Sequence, residues 1–190
     1  MSKDNFTNMR SLISALAISM NLINPDMENH HEQTAYLAFQ IGYEMGLRDD
    51  NLNNAVYAAL LHDIGSVMSQ ERQNIVEIEA HAKEIAAAGA AMLEDLEDFK
   101  VIADIIRINQ NSYLENQRIL AELSDGNLDT GICLKVSQAI HLADVVTTLI
   151  EDNVPILNQV KRICSLVERG RGTEFSPEAL DAFDKGAERQ

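Results

Sequence analysis

The stretch Ala58-Ala59-Leu60-Leu61-His62-Asp63-Ile64-Gly65 constrains this chain more than any other. It reads as an apolar helix whose last turn carries a histidine and an aspartate side by side, with a glycine two residues on. Leu52, Val56, Ala59, Leu60 and Asp63 fall on one helical stripe, so the carboxylate continues the inward face. An ionised carboxylate there is costly unless an opposite charge meets it. A divalent cation would meet it, and imidazole with carboxylate is a ligand set suited to Mn, Fe, Zn or Mg. Gly65 is expected to stop the helix sharply. For a lone His-Asp pair, a capped helix end reaching water is the simpler account, so the weight falls on the rest of the chain.

The rest is helical in character. Three prolines and nine glycines in 190 residues, against abundant Ala, Leu, Ile, Glu and Gln, leave few breakers and many helix formers. No run alternates like a strand, so the class is all-α, and the length suits a single domain, 1–190, with a substantial core. The formal charge of −15 repels duplex nucleic acid and anionic membrane, and no basic groove offsets it. A small anionic substrate stays compatible with that surface if a metal supplies positive charge locally. Cys133 and Cys164 lack metal-type spacing and read as core residues of a reduced, cytoplasmic protein. The apolar run Leu12 to Ile23 is interrupted by Ser14, Ser19 and Asn21, which argues against a membrane span or signal peptide.

In chain order, Phe6, Met9, Leu12, Ile13, Leu16, Met20 and Ile23 form one apolar stripe, ended by Asn24-Pro25. Asp26 is expected to cap a second helix through Met45, closed by Gly46, with His30, Thr34, Leu37, Ile41 and Met45 inward. Asp49-Asp50 opens the helix that delivers His62 and Asp63. A short segment near Ser69–Arg72 precedes an Ala-rich helix over 74–96, and another helix follows over 99–111. Residues 112–131 are the least regular, with a short helix near 117–123 and a turn at Ser124-Asp125-Gly126-Asn127. Helices are then expected over 132–151, from Pro155 to Glu168, and after Ser176-Pro177-Glu178, a cap, first-turn proline and acidic first turn. Met9, Met20, Met45 and Met92 read as core filler.

Four ionisable residues lie on or beside these inward stripes: His30, His62, Asp63 and Asp144. Two imidazoles and two carboxylates make a nitrogen and oxygen cage for one divalent ion, with positions left for water and a phosphate oxygen. His31 exchanges with His30 on a one-residue slip in register. Asp144 has an alternative as the partner of Arg107, and His141 reads as a surface or supporting residue.

In their order, His30, Leu60-Leu61-His62-Asp63-Ile64-Gly65 and Leu142-Ala143-Asp144 resemble the H…HD…D pattern of the HD superfamily of metal-dependent phosphohydrolases. Within it, the HD-GYP branch is the nearest likeness. His30-His31 with Thr34 to Ala38 and Gly46-Leu47 resembles that branch's first ligand helix, and Ala139 to Val146 its last. Gly172-Thr173-Glu174-Phe175-Ser176-Pro177-Glu178 through Phe183 is similar to its closing segment, and the likeness spans roughly residues 10 to 186. The resemblance implies an HD-type bundle of roughly seven to nine helices, with His30, His62, Asp63 and Asp144 holding the metal and Asp63 also acting on the attacking water.

The chain also departs from that branch. Ser66 stands where a lysine follows the His-Asp-Ile-Gly, and Asn109-Gln110 where a histidine pair is expected. Ser112-Tyr113-Leu114-Glu115 replaces the Gly-Tyr-Pro segment, and a further family histidine, four residues before Gly89, is Ile85, with His81 one turn earlier as the nearest candidate. Two functions therefore stay open. One is a single-metal phosphohydrolase acting on a small phosphorylated ligand of the nucleotide or cyclic-nucleotide class, with little cyclic di-GMP hydrolysis. The other is a degenerate regulatory module that works through contacts with a signalling protein.

Overall fold

The computed structural model describes residues 3–23, 29–68, 81–122, 128–151 and 153–188. The expected cap at Asp26, the Asn24-Pro25 stop, the Ser69–Arg72 segment, the start of the Ala-rich helix and the Ser124–Asn127 turn lie outside them. Among the described residues there are nine α-helices and no strand: α1 Lys3–Ile23, α2 His30–Glu44, α3 Asp49–Leu61, α4 Ala82–Leu93, α5 Lys100–Ile108, α6 Tyr113–Glu122, α7 Leu128–Thr148, α8 Ile156–Glu168 and α9 Pro177–Glu188. Short 3₁₀ turns cover Ile64–Met68 and Glu97–Phe99. The chain is all-α. No helix among the described residues is long and apolar enough to cross a membrane.

Helix α3 is the centre of the bundle, packed by α1, α2, α5 and α7. With neighbours on most sides it is buried around most of its circumference: Leu52, Ala55, Tyr57, Ala58, Ala59 and Leu61 are all inside. The narrow stripe expected from periodicity is thus only part of the buried surface, and two of its members, Val56 and Leu60, are half-buried. A one-sided stripe describes a helix on the outside of a bundle, not one at its middle. Helix α1 follows its stripe more loosely, since Ile13, Ala17 and Met20 are buried while Leu12 and Ile23 are exposed; the burial of Phe6 lies outside the described residues. Met92 is exposed, not core filler.

Helix ends follow local chemistry. Gly46, at φ +83°, closes α2, with the Leu47 amide donating to the Gly42 carbonyl and the Gly46 amide to that of Tyr43. That pair of bonds is a Schellman stop, which needs the left-handed residue glycine supplies. Helix α6 starts at Tyr113, earlier than expected, because Ser112 and Glu115 form a reciprocal capping box: the Ser112 amide donates to Glu115 Oε2 at 2.8 Å, the Glu115 amide to Ser112 Oγ at 3.3 Å. At α9 the Ala179 amide donates to Ser176 Oγ at 3.0 Å, the expected cap.

Gly65 serves a different purpose from the one its position suggested. It has no positive φ; it lies in the 3₁₀ turn, pressed against α4. A Cβ on Gly65 would come 2.1 Å from the Ile85 carbonyl oxygen and 2.7 Å from the Gly89 amide nitrogen. Both are backbone atoms that cannot step aside, so the glycine sets the distance between the end of α3 and α4. Gly65→Ala is expected to destabilise the fold by about 1–3 kcal/mol, the usual cost of overpacking. Urea unfolding checks this; an unchanged midpoint would mean that α4 can move away freely.

Candidate metal centre

Three helices deliver the inward ionisable residues to one cluster. His30 and His31 open α2, His62 caps the C-terminal end of α3 with Asp63 following, and Asp144 lies one turn before the end of α7. Thr34, one turn into α2, shares a 2.9 Å hydrogen bond with Thr147 on α7, holding the two helices in register beneath the cluster.

His30 Nε2 is 3.1 Å from Asp144 Oδ1, and His62 Nε2 is 3.3 Å from the same oxygen. His62 Nε2 is also 3.0 Å from Asp63 Oδ2, while His30 and His31 place their Nε2 atoms 3.9 Å from it. One donor atom each from His30, His62 and Asp144 falls within 4.8 Å of the other two. The three imidazole centroids stand 5.4–5.6 Å apart. His31, which sequence alone left as an exchange for His30, is therefore turned inward together with it. His81, in contrast, is exposed at the N-terminal end of α4 and is not in the cluster.

Hydrogen bonds outside the cluster fix which atoms face inward. His62 Nδ1 is 2.7 Å from the Ala59 carbonyl oxygen, which can only accept, so Nδ1 carries the proton and Nε2 presents a lone pair. That Nε2 is buried without a hydrogen-bond partner of good geometry, although two carboxylates lie beside it. Such an arrangement calls for positive charge: a proton or a metal ion. Gln110 Nε2 donates to Asp144 Oδ2 at 2.9 Å, occupying the outer oxygen and leaving Oδ1 toward the histidines. Arg107, the alternative partner for Asp144, pairs instead with Glu94 at the surface.

The electrostatics follow the same geometry. Burial alone would lower the His62 pKa, but the Asp63 and Asp144 carboxylates outweigh it and hold it well above the usual 6.5. Burial would raise both carboxyls, yet His62 draws Asp63 below 3.8, and His62 with His30 draws Asp144 well below it. His31 goes the other way, to about 3, because burial and then the neighbouring His62 charge disfavour its protonation. Without a cation, the cluster holds a proton on His62 and refuses one to His31.

Two further contacts near the cluster depend on how distant elements meet. Gln110 was visible as a departure from a histidine pair, but its reach to Asp144 depends on how α5 meets α7 and carries no local signal. His141 is buried, not at the surface: its Nε2 donates to Glu174 Oε1 at 2.7 Å, and its ring lies against Phe175. The turn at 169–176 folds over it, a long-range event one helix's pattern cannot show.

A protein-family model described as HD domain matches residues 27–149, about two thirds of the chain, and so takes in all five clustered residues. Among curated proteins, none matches significantly.

Proposed function

Because the chain belongs to the HD domain family, we propose that it is a metal-dependent phosphohydrolase in which His30, His62, Asp63 and Asp144 hold one divalent ion, Mn, Fe, Mg or Zn. The observation that carries this reading is the setting of His62: its Nδ1 proton is committed to Ala59, and its buried Nε2 lies 3.0 and 3.3 Å from two carboxylates that call for positive charge there. Nitrogen and oxygen donors gathered this closely, with the His62 Nε2 buried and unpartnered, fit a hard or borderline cation. When bound, such an ion supplies Lewis-acid polarisation of a phosphoryl oxygen and acidifies a water.

The protein's own groups do the rest. Ala59 and Gln110 orient His62 and Asp144 from behind, as outer partners of metal ligands do. Asp63 turns Oδ2 to the histidines, and its second oxygen is the atom assigned to orient the attacking water and accept its proton. The substrate class is a small phosphorylated ligand, of the nucleotide or cyclic-nucleotide kind. Assaying the metal-loaded protein on a panel of phosphomonoesters and nucleotides tests this; absence of metal-dependent turnover by a protein that does bind metal would overturn the enzymatic part.

A second reading, a degenerate HD-GYP-like regulatory module acting through a signalling partner, is favoured by the residues where a histidine pair would extend the site. Asn109 is fully buried with no hydrogen-bond partner for its amide, and Gln110 is engaged with Asp144. Neither offers the imidazole a second metal would need. Ser66 likewise puts no positive charge beside the His-Asp pair. Each missing electrostatic contribution is worth about 3 kcal/mol of transition-state stabilisation, roughly a hundredfold or more in rate. Cyclic di-GMP is accordingly expected to stay intact on incubation with the metal-loaded protein. Rapid conversion to the linear dinucleotide, lost in Asp63→Ala, would show that a second metal is not required here.

A further inference from the structure

We infer that His31 is a fifth donor to the cation centre, and that its nitrogen tilts the centre toward a borderline transition ion over magnesium. The inference rests on the cation reading above and adds a residue to it.

The grounds are in how His31 is held. Its Nδ1 is 3.0 Å from Asn21 Oδ1 on α1. The Asn21 amide cannot be turned the other way without loss, because its Nδ2 donates to both carboxylate oxygens of Glu32, at 3.1 and 3.3 Å, and a carboxylate only accepts. Asn21 therefore presents its oxygen to His31, Nδ1 carries the proton, and Nε2 presents its lone pair. That Nε2 is buried and has no hydrogen-bond partner. The residue is 2% exposed, so water does not reach it freely.

A histidine with a purely structural task normally satisfies both ring nitrogens. Here one is deliberately fixed and the other is bare, 3.9 Å from Asp63 Oδ2, with ring centroids 5.5 Å from His30 and 5.6 Å from His62. The same logic fixes His62 through Ala59, so two of the three imidazoles are locked with Nε2 on the side of Asp63 Oδ2, at 3.9 Å for His31 and 3.0 Å for His62. Magnesium prefers near-octahedral oxygen and keeps its waters, whereas imidazole favours zinc, iron, cobalt and nickel. A third imidazole raises affinity for the second group much more than for the first. Asn21 is then a positioning residue: it touches no metal, but it decides which nitrogen of His31 faces inward.

Titrating the metal-stripped full chain with Co²⁺, Zn²⁺ and Mg²⁺ by calorimetry tests this, with cobalt absorption reporting the nitrogen ligands. In His31→Gln, Co²⁺ affinity is expected to fall at least about tenfold while Mg²⁺ affinity moves less than about threefold, and Asn21→Ala is expected to produce a smaller loss of the same kind. In the unaltered protein, zinc should shift the ¹⁵N resonance of His31 Nε2 with Nδ1 still protonated. Unchanged Co²⁺ affinity in a folded His31→Gln, or an unmoved His31 resonance, overturns the inference and leaves the four-residue centre standing. If the unaltered protein binds none of the three ions, the cation reading itself fails and takes His31 with it. Should His31→Gln not fold, Asn21→Ala and the resonance of the unaltered protein decide.

Discussion

Asp144→Asn is expected to strip the centre of its cation and to bring metal-dependent turnover down by at least about a thousandfold, more than the loss of one outer hydrogen bond would cause. Asp144 Oδ1 is the atom that His30 Nε2 and His62 Nε2 both approach, at 3.1 and 3.3 Å. The substitution removes the charge at that point while keeping the shape. It also turns the hydrogen-bond pattern against the site: with Gln110 donating from outside, the asparagine oxygen faces Gln110, and its NH₂ faces the two imidazoles. A donor then occupies the place of a ligand. Elemental analysis of the purified variant, alongside phosphatase assay, measures both effects. Full occupancy with intact turnover would remove Asp144 from the ligand set. A folded but metal-free variant, in contrast, would separate metal loss from collapse of the bundle, since Thr34 and Thr147 still tie α2 to α7.

Much of this centre was legible because its residues sit at helix positions with a period. His30 and Thr34 share a stripe on α2, and both are buried. Asp144 follows Val136, Ile140 and Ala143 on α7, where a carboxylate has few uses. The helix caps were legible for the same local reason: Ser176 before Pro177, and Gly46 after α2. Ser112-Tyr113-Leu114-Glu115 carries an equally local capping signal, a serine followed three residues later by a glutamate. What could not be read was whatever depends on a second element. The burial of α3 beyond its stripe comes from its neighbours. Gly65 matters for an atom of Ile85, twenty positions on. Gln110 and Asn21 act across helix contacts, and whether His30 or His31 turns inward depends on the first turn of α2. At that end the chain places both.

Removing the cation should lower the melting temperature, and the size of the drop should depend on pH in a direction the site dictates. At a metal concentration of about 100 to 1,000 times Kd, binding stabilises by about 3–4 kcal/mol, or roughly 6–16 °C for a chain of this size. The pH dependence comes from competition for His62 Nε2. In the stripped protein His62 is held well above 6.5, so the stability it contributes is present below 6.5 and is lost as pH rises through its folded value. His31, lowered to about 3, acts in the opposite sense: between 6.5 and 3 the unfolded chain takes up a proton that the folded protein refuses, so stability falls with pH there. Asp144 and Asp63, both below 3.8, contribute stability that is present above that value and is lost as acid titrates them. The stripped protein is therefore expected to be most stable near neutrality. A bound cation replaces the His62 proton, so its affinity rises with pH by up to one proton per ion. Melting curves with and without chelator should separate more widely at pH 8 than at pH 6. A gap that stays constant over that interval would mean that His62 yields no proton to the metal, and that its Nε2 is not a ligand.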